Sequence, residues 1–212
     1  MKYEKIRQQV LDAILEATQL GLIHGTSGNI AVRDFEENVI AITPSGRPYD
    51  TMKVEDIAIV TPEGEWIDGP YKPSSETPMH TAVFRARPDV GATVHNHAMY
   101  CTIMAMACDE LIPTTPPQAE FSPIRVVPFE MPGTQELANH VVNTLGEGRA
   151  VLLKNHGSFC CGKDIGAAMA AAIYTEEAAQ IAYCATLLGK FEPLPAKNIA
   201  DIQAMIAADK AV

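Results

Sequence analysis

The segment NIAVRDFEENVIAIT, residues 29–43, indicates how the sheet of this protein is built. Two short apolar runs, 29–33 and 39–43, flank the polar segment DFEEN, a pattern typical of two strands joined by a turn. A short turn reverses the chain, so the two strands it joins must be antiparallel. The sheet around this hairpin is therefore predicted to be mainly antiparallel.

The segments outside this hairpin alternate between helical and strand patterns. Helical spacing covers about residues 3–20, 75–87, 98–108, 134–145, 164–189 and 198–208, and strand-like runs lie at 57–60, 92–97, 150–154 and 157–161. The stretch 113–132 carries six prolines and is predicted to be a long loop with one short strand. Since neither a repeat nor a linker interrupts the chain, we expect one domain over residues 1–212. Its predicted architecture is a three-layer α/β/α sandwich on a mainly antiparallel sheet.

Composition narrows the function classes. The net charge of −10 argues against nucleic acid or an anionic membrane as a partner, because both bind basic surfaces. No apolar run reaches the roughly 18 residues that a membrane span needs. The five cysteines form no disulfide framework, and the N-terminus does not resemble a signal peptide, so a cytoplasmic protein is expected.

A cluster of metal ligands is predicted around His95 and His97. In a strand, residues i and i+2 point to the same face, so both imidazoles can reach one ion from the end of the apolar run at 92–94. His156 lies at another strand edge, and Glu76 opens a helix. Three imidazoles and a carboxylate suit tetrahedral zinc, with cobalt or manganese as substitutes. The plain alternative is two histidines that are close only by chance.

Three short segments are rich in hydroxyl groups and glycine: 25–29 (GTSGN), 43–46 (TPSG) and 74–75 (SS). Each alone is explained by ordinary turn or helix-capping chemistry. Together they offer amide and hydroxyl donors that can bind a phosphate group without a lysine. That kind of site suits an anionic substrate of an acidic protein.

These motifs, in this order and at these spacings, resemble the class II aldolase/adducin family. The resemblance runs over about residues 4–190 and includes 25–29, 43–46, PSSE at 73–76, VHNH at 94–97 and NHG at 155–157. Within the family the chain is most similar to the L-fuculose-1-phosphate aldolase branch. The resemblance implies an α/β/α sandwich, a homotetramer with active sites at subunit contacts, and a phosphorylated sugar as substrate.

The resemblance also implies residue roles. Glu76 would ligate zinc at rest and act as the catalytic acid/base once substrate displaces it, and the remaining zinc ligands would be His95, His97 and His156. The residues implied to bind or shape the phosphate site are Gly28, Asn29, Ser45, Gly46, Ser74 and Ser75. The implied reaction is retro-aldol cleavage of a ketose 1-phosphate to dihydroxyacetone phosphate and an aldehyde.

The sequence departs from the aldolase branch in the loop 112–123 (IPTTPPQAEFSP). Pro117 aligns with a tyrosine of that branch, which leaves the second proton donor unassigned. Glu120 is a candidate acid/base, because L-ribulose-5-phosphate 4-epimerases have an aspartate near that position. Its plain alternative is a solvated loop carboxylate. His80, on the same helix face as Glu76, is predicted to be structural.

Three other functions therefore stay open. One is epimerisation of a ketose 5-phosphate, and a second is a dehydratase or decarboxylase activity of the same superfamily. The third is a non-catalytic binding module like the adducin head domain. That head domain lacks the metal ligands, so the complete set in this sequence disfavours it.

Overall fold

A computed structural model describes residues 1–209, within which nine strands form one sheet. The strands are β1 (Asn29–Asp34), β2 (Val39–Ile42), β3 (Ala58–Val60), β4 (Trp66–Asp68), β5 (Ala92–Asn96), β6 (Glu110–Leu111), β7 (Ile124–Val127), β8 (Ala150–Leu153) and β9 (Gly157–Gly162). Their spatial order is β4-β3-β2-β1-β5-β9-β8-β7-β6. Only the pair β7–β8 is parallel among these described strands.

Helices cover both faces of the sheet. They are α1 (Glu4–Gln19), α2 (Thr77–Ala86), α3 (Met99–Ala107), α4 (Pro116–Ala119), α5 (Gln135–Leu145), α6 (Ile165–Leu187) and α7 (Ala196–Asp209). Apolar residues of α1, α3 and α6 form one buried cluster, and those of α2 and α5 form another. Successive strand residues alternate between the two clusters, as the pleat requires. The predicted three-layer α/β/α architecture on a mainly antiparallel sheet is confirmed.

The differences from the sequence prediction lie at the sheet edges. Strand β4 was not predicted, because three mostly exposed residues carry no alternation of apolar and polar positions. The proline-rich stretch contains the short helix α4 as well as strand β7. The parallel pair follows from α5, since a helical crossover returns the chain in its original direction.

The central strands of the sheet bring His95 and His156 close together. Strand β5 lies between β1 and β9, and its residue His95 pairs with Asn29 on one side and Phe159 on the other. His156 lies in the turn between β8 and β9, so it comes close to the end of β5. None of the helices within residues 1–209 combines the length and apolar character needed to span a bilayer.

Candidate active site

Four side chains that could ligate a metal converge at the end of β5. They are Glu76, His95, His97 and His156, and their ligand atoms all lie within 4.8 Å of one another. The side chain of His95 is fully buried, and those of Glu76 and His156 are each 8% exposed. The structure therefore brings together the four residues that the sequence nominated as metal ligands.

Three separations within this cluster are close to those of a tetrahedral cation site. Nε2 of His95 lies 3.0 Å from Nε2 of His97 and 3.1 Å from Oε2 of Glu76. Nε2 of His156 lies 3.4 Å from Oε1 of Glu76. Zinc–nitrogen bonds of about 2.0–2.1 Å in a tetrahedral site imply ligand separations of about 3.3 Å. These three separations are therefore close to what a four-coordinate cation requires.

Hydrogen bonding also fits a cation at this point. Nδ1 of His95 donates to the Ser158 carbonyl at 2.8 Å, which leaves Nε2 facing the cluster without a proton in the neutral ring. Oε1 of Glu76 is buried and has no hydrogen-bond partner within the described structure. A buried acceptor without a partner is costly, and a cation between Glu76 and the histidines would satisfy it.

The ionisation states suit metal binding. Burial, with a smaller contribution from neighbouring histidines, lowers the pKa of His97 and His156 to about 4, so both are neutral at pH 7. Burial alone would favour protonated Glu76. The imidazole of His95 beside it and the amide of Asn29 outweigh burial and hold the pKa of Glu76 well below the usual range. Neutral imidazoles and an ionised carboxylate are the forms that bind metals.

A polar cleft of about 290 Å³ opens beside the cluster. Its lining includes all six residues predicted to bind or shape a phosphate site: Gly28, Asn29, Ser45, Gly46, Ser74 and Ser75. Three chain segments distant in sequence thus contribute hydroxyl and amide donors to one cleft. The geometry suits an anion held next to the four ligands.

Two of these residues control the course of the backbone around the cleft. Gly28 has φ +104°, and a Cβ there would lie 2.8 Å from the His95 carbonyl oxygen, so only glycine fits. Oγ of Ser74 accepts from the Glu76 amide at 3.2 Å and thereby fixes the turn that leads into α2. Ser75 is exposed at the cleft and is not part of that bond.

Sequence reasoning missed Tyr49, which also lines the cleft. Its hydroxyl donates to the Gly28 carbonyl at 2.5 Å, and burial raises the pKa of Tyr49 to about 12, so it stays protonated. The Tyr49 hydroxyl therefore holds the Gly28 carbonyl of the glycine-rich turn in place. No spacing pattern marked it, because it lies in a 3-10 turn of only three residues, Tyr49–Thr51, after Pro48.

Glu120 lies elsewhere in the same chain. It lines a surface pocket with Arg149 and Lys163, which lie at the ends of β8 and β9 remote from His156. Glu120 is absent from the lining of the cleft that holds Glu76. An acid/base role for Glu120 stays a prediction, and it requires that a second subunit supply the loop.

The sequence of this chain was compared with those of known proteins and protein families. Residues 8–183 match the family described as Class II Aldolase and Adducin N-terminal domain. A 5-deoxy-D-ribulose 1-phosphate aldolase from Bacillus thuringiensis serovar kurstaki is 36% identical over 92% of this chain and 92% of its own length. An L-fuculose phosphate aldolase from Escherichia coli K12 is 34% identical, over 97% of this chain and 94% of its own length.

A relative named for a different reaction has a comparable sequence identity over a smaller share of the chain. An L-ribulose-5-phosphate 4-epimerase from Salmonella paratyphi B is 34% identical over 86% of each chain. Among solved structures, an L-fuculose 1-phosphate aldolase superposes with a TM-score of 0.93 at 29% identity, covering 98% of both chains. Matches of this extent in sequence and fold show that the chain belongs to the class II aldolase/adducin family.

Proposed function

We propose that this protein cleaves a ketose 1-phosphate, of the L-fuculose 1-phosphate type, into dihydroxyacetone phosphate and an aldehyde by a metal-dependent retro-aldol reaction. The observation that carries the proposal is the cluster of Glu76 and three histidines beside a cleft lined with phosphate-type donors. The aldolases among its relatives support it, because their names specify sugar 1-phosphates or fuculose phosphate.

The proposed cofactor is zinc, with cobalt or manganese as workable substitutes, held by His95, His97, His156 and Glu76. Three imidazoles and one carboxylate form a donor set that suits zinc, and their separations fit it. A divalent cation supplies Lewis acidity, which stabilises the negative charge that develops on the substrate oxygens during cleavage.

Glu76 is the proposed acid/base. Cleavage removes a proton from the hydroxyl of the carbon that becomes the aldehyde, and it delivers a proton to the carbon released as the ketone fragment. Glu76 is ionised at rest and lines the cleft. Once substrate displaces it from the cation, it would take up a proton from solvent and deliver that proton to the carbon of the ketone fragment. The group that accepts the hydroxyl proton is a solvent molecule or a residue from a neighbouring subunit.

The proposed phosphate site comprises Asn29, Ser45, Ser74 and Ser75 with the backbone at Gly28 and Gly46. Binding a remote phosphate orients the reacting carbons and contributes to catalysis without touching them. We further infer a cytoplasmic homotetramer with active sites at subunit contacts. In this assembly, Glu120 of one subunit would lie at the cleft of a neighbouring subunit.

The second candidate is epimerisation of a ketose 5-phosphate through the same bond cleavage without product release. Pro117 favours it, because it stands where the aldolase branch has a tyrosine, and so does the epimerase relative. In this case Glu120 would act as an acid/base on the rotating aldehyde. A non-catalytic module like the adducin head is disfavoured by the converged ligand set.

The test is a screen of metal-loaded protein against a panel of ketose 1-phosphates and ketose 5-phosphates. Dihydroxyacetone phosphate is followed with a coupled reductase, and sugar interconversion is followed by chromatography. We expect triose phosphate release that is lost in the His95→Ala/His97→Ala variant. Interconversion of ketose 5-phosphates without triose phosphate would identify an epimerase. Metal-loaded protein inactive on the entire panel would refute both proposals.

A further inference from the structure

A chain of buried hydrogen bonds connects the sheet to the Glu76 carboxylate through His80. The His80 ring is fully buried on α2, one turn after Glu76. Its Nδ1 lies 2.6 Å from Oγ1 of Thr93, and its Nε2 lies 2.5 Å from Oδ1 of Asn29. Nδ2 of Asn29 in turn donates to Oε2 of Glu76 at 2.9 Å.

Donor and acceptor chemistry fixes the direction of this chain. An ionised carboxylate only accepts hydrogen bonds, so the Asn29 atom facing Glu76 must be the amide nitrogen. The Asn29 oxygen therefore faces His80, whose Nε2 must carry the proton. Nδ1 of His80 then accepts from the Thr93 hydroxyl. Burial lowers the pKa of His80 to about 3, which keeps the ring neutral and preserves this single tautomer.

The sheet places the chain where it can act on Glu76. Thr93 and His95 are two residues apart on β5 and face the same side, and Asn29 pairs with His95 across β1. The carboxylate is thus held at Oε2, while Oε1 has no hydrogen-bond partner within the described structure and faces His156. Oε2 therefore contacts both Asn29 and His95, and Oε1 lies next to His156.

We propose that His80 is a positioning residue that acts through Asn29 to hold the Glu76 carboxylate in one rotation, with Oε2 beside His95 and Oε1 beside His156. The inference rests on the proposed function in one respect, that Glu76 is a ligand and acid/base. Without the His80 proton, the Asn29 amide can rotate and turn its oxygen toward the carboxylate, where like charges repel. The Glu76 carboxylate would then populate several rotations.

Packing alone is the competing role for His80, because its ring also contacts Phe159 edge-on with centroids 5.3 Å apart. His80→Phe keeps an aromatic ring but removes both hydrogen bonds. His80→Gln keeps an amide N–H that can reach Asn29. Phe84→Leu is the matched control, since Phe84 is equally buried on the same helix and is outside the hydrogen-bonded chain.

Three measurements decide between the two roles. The visible spectrum of the cobalt-loaded protein reports the ligand geometry, a zinc competition titration reports affinity, and steady-state kinetics separate kcat from KM. We expect His80→Phe to alter the cobalt spectrum and to lower zinc affinity or kcat by about 10-fold or more, typical of residues that orient a ligand. His80→Gln should restore most of the loss, and Phe84→Leu should lower stability without changing the cobalt spectrum.

A fourth measurement needs no variant. Nitrogen-15 NMR of wild-type histidines should show the His80 ring protonated at Nε2 and bare at Nδ1, and the opposite tautomer would overturn the proposal even if His80→Phe fails to fold. A folded His80→Phe protein with wild-type spectrum, affinity and kcat would also overturn it. If the wild type is active on sugar phosphates and His80→Phe behaves like the wild type, the proposed function still stands. If the wild type has no sugar phosphate activity but His80→Phe shows the expected change in the cobalt spectrum, only the proposed function fails.

Discussion

Removing the divalent cation should lower the melting temperature of the protein, because four clustered ligand atoms then lose their shared partner. The cluster is assembled on strand ends and a helix start, so it exists before the cation arrives. Without a cation, Oε1 of Glu76 is buried and lacks a hydrogen bond, a state that costs about 1–3 kcal/mol. The expected loss of stability is therefore larger than that of a surface ion site.

The size of the effect follows from linkage. Free zinc at 100 times its dissociation constant stabilises the folded state by about 2.7 kcal/mol. For a chain of this length, each kcal/mol shifts the melting temperature by about 2–4 °C. Saturating zinc should therefore raise the melting temperature of the metal-free protein by about 5–11 °C.

The assay is calorimetry on metal-free protein with and without zinc, at one protein concentration. His95→Ala/His97→Ala should stay folded and lose the zinc-dependent shift. His140→Ala should keep the whole shift, because this histidine is half-buried on α5, outside the cluster, and its ion-pair contact is with Glu130. Metal analysis should find about one ion per wild-type chain. A double variant with the wild-type shift would refute the assignment of the site.

The remaining predictions concern the cleft and the loop. Ser75→Ala should raise KM for the phosphorylated substrate with little change in melting temperature, whereas Ser74→Ala should lose about 1 kcal/mol of stability because it removes a buried hydrogen bond. If both variants changed only stability, the phosphate assignment would fail. Glu120→Gln should reduce kcat less than the ~100-fold expected for an acid or base if the protein is an aldolase, and at least that much if it is an epimerase. Gly28→Ala should impair zinc affinity, because its Cβ would meet a carbonyl oxygen at 2.8 Å. Gly25→Ala, also at positive φ but with open space around it, should cost only the roughly 1–2 kcal/mol of the left-handed conformation, and zinc titrations of the two variants make the comparison.

Local patterns account for what the sequence predicted correctly. The hairpin at 29–43 and the helices other than α4 were visible because apolar periodicity and turn residues act over a few positions. The pairing of His95 with His97 was visible because a strand puts alternate residues on one face. His156 and Glu76 were nominated by their positions at element ends, and the structure brings them to the same point.

Tertiary structure decided what depends on contacts between distant segments. Strand β4 exists only because β3 offers it an edge, and the parallel pair β7–β8 depends on where α5 packs. Tyr49 reaches the cleft by folding under Gly28, which no local pattern encodes. Glu120 was chosen by its position along the chain, and only the fold separates it from the cleft of its own subunit.

The role proposed for His80 shows the same division. The sequence placed it four residues after Glu76 and predicted a structural residue, because spacing reports which face of a helix a side chain occupies. Spacing does not report which hydrogen-bond partners the strands bring to that face. Asn29 on β1 and Thr93 on β5 come from two different strands. The register of β1 against β5 and the packing of α2 decide that His80 donates to Asn29, which donates to Glu76. Sequence thus determined the ligand types and local elements of this protein, while the packing of the strands decided how the ligands are oriented.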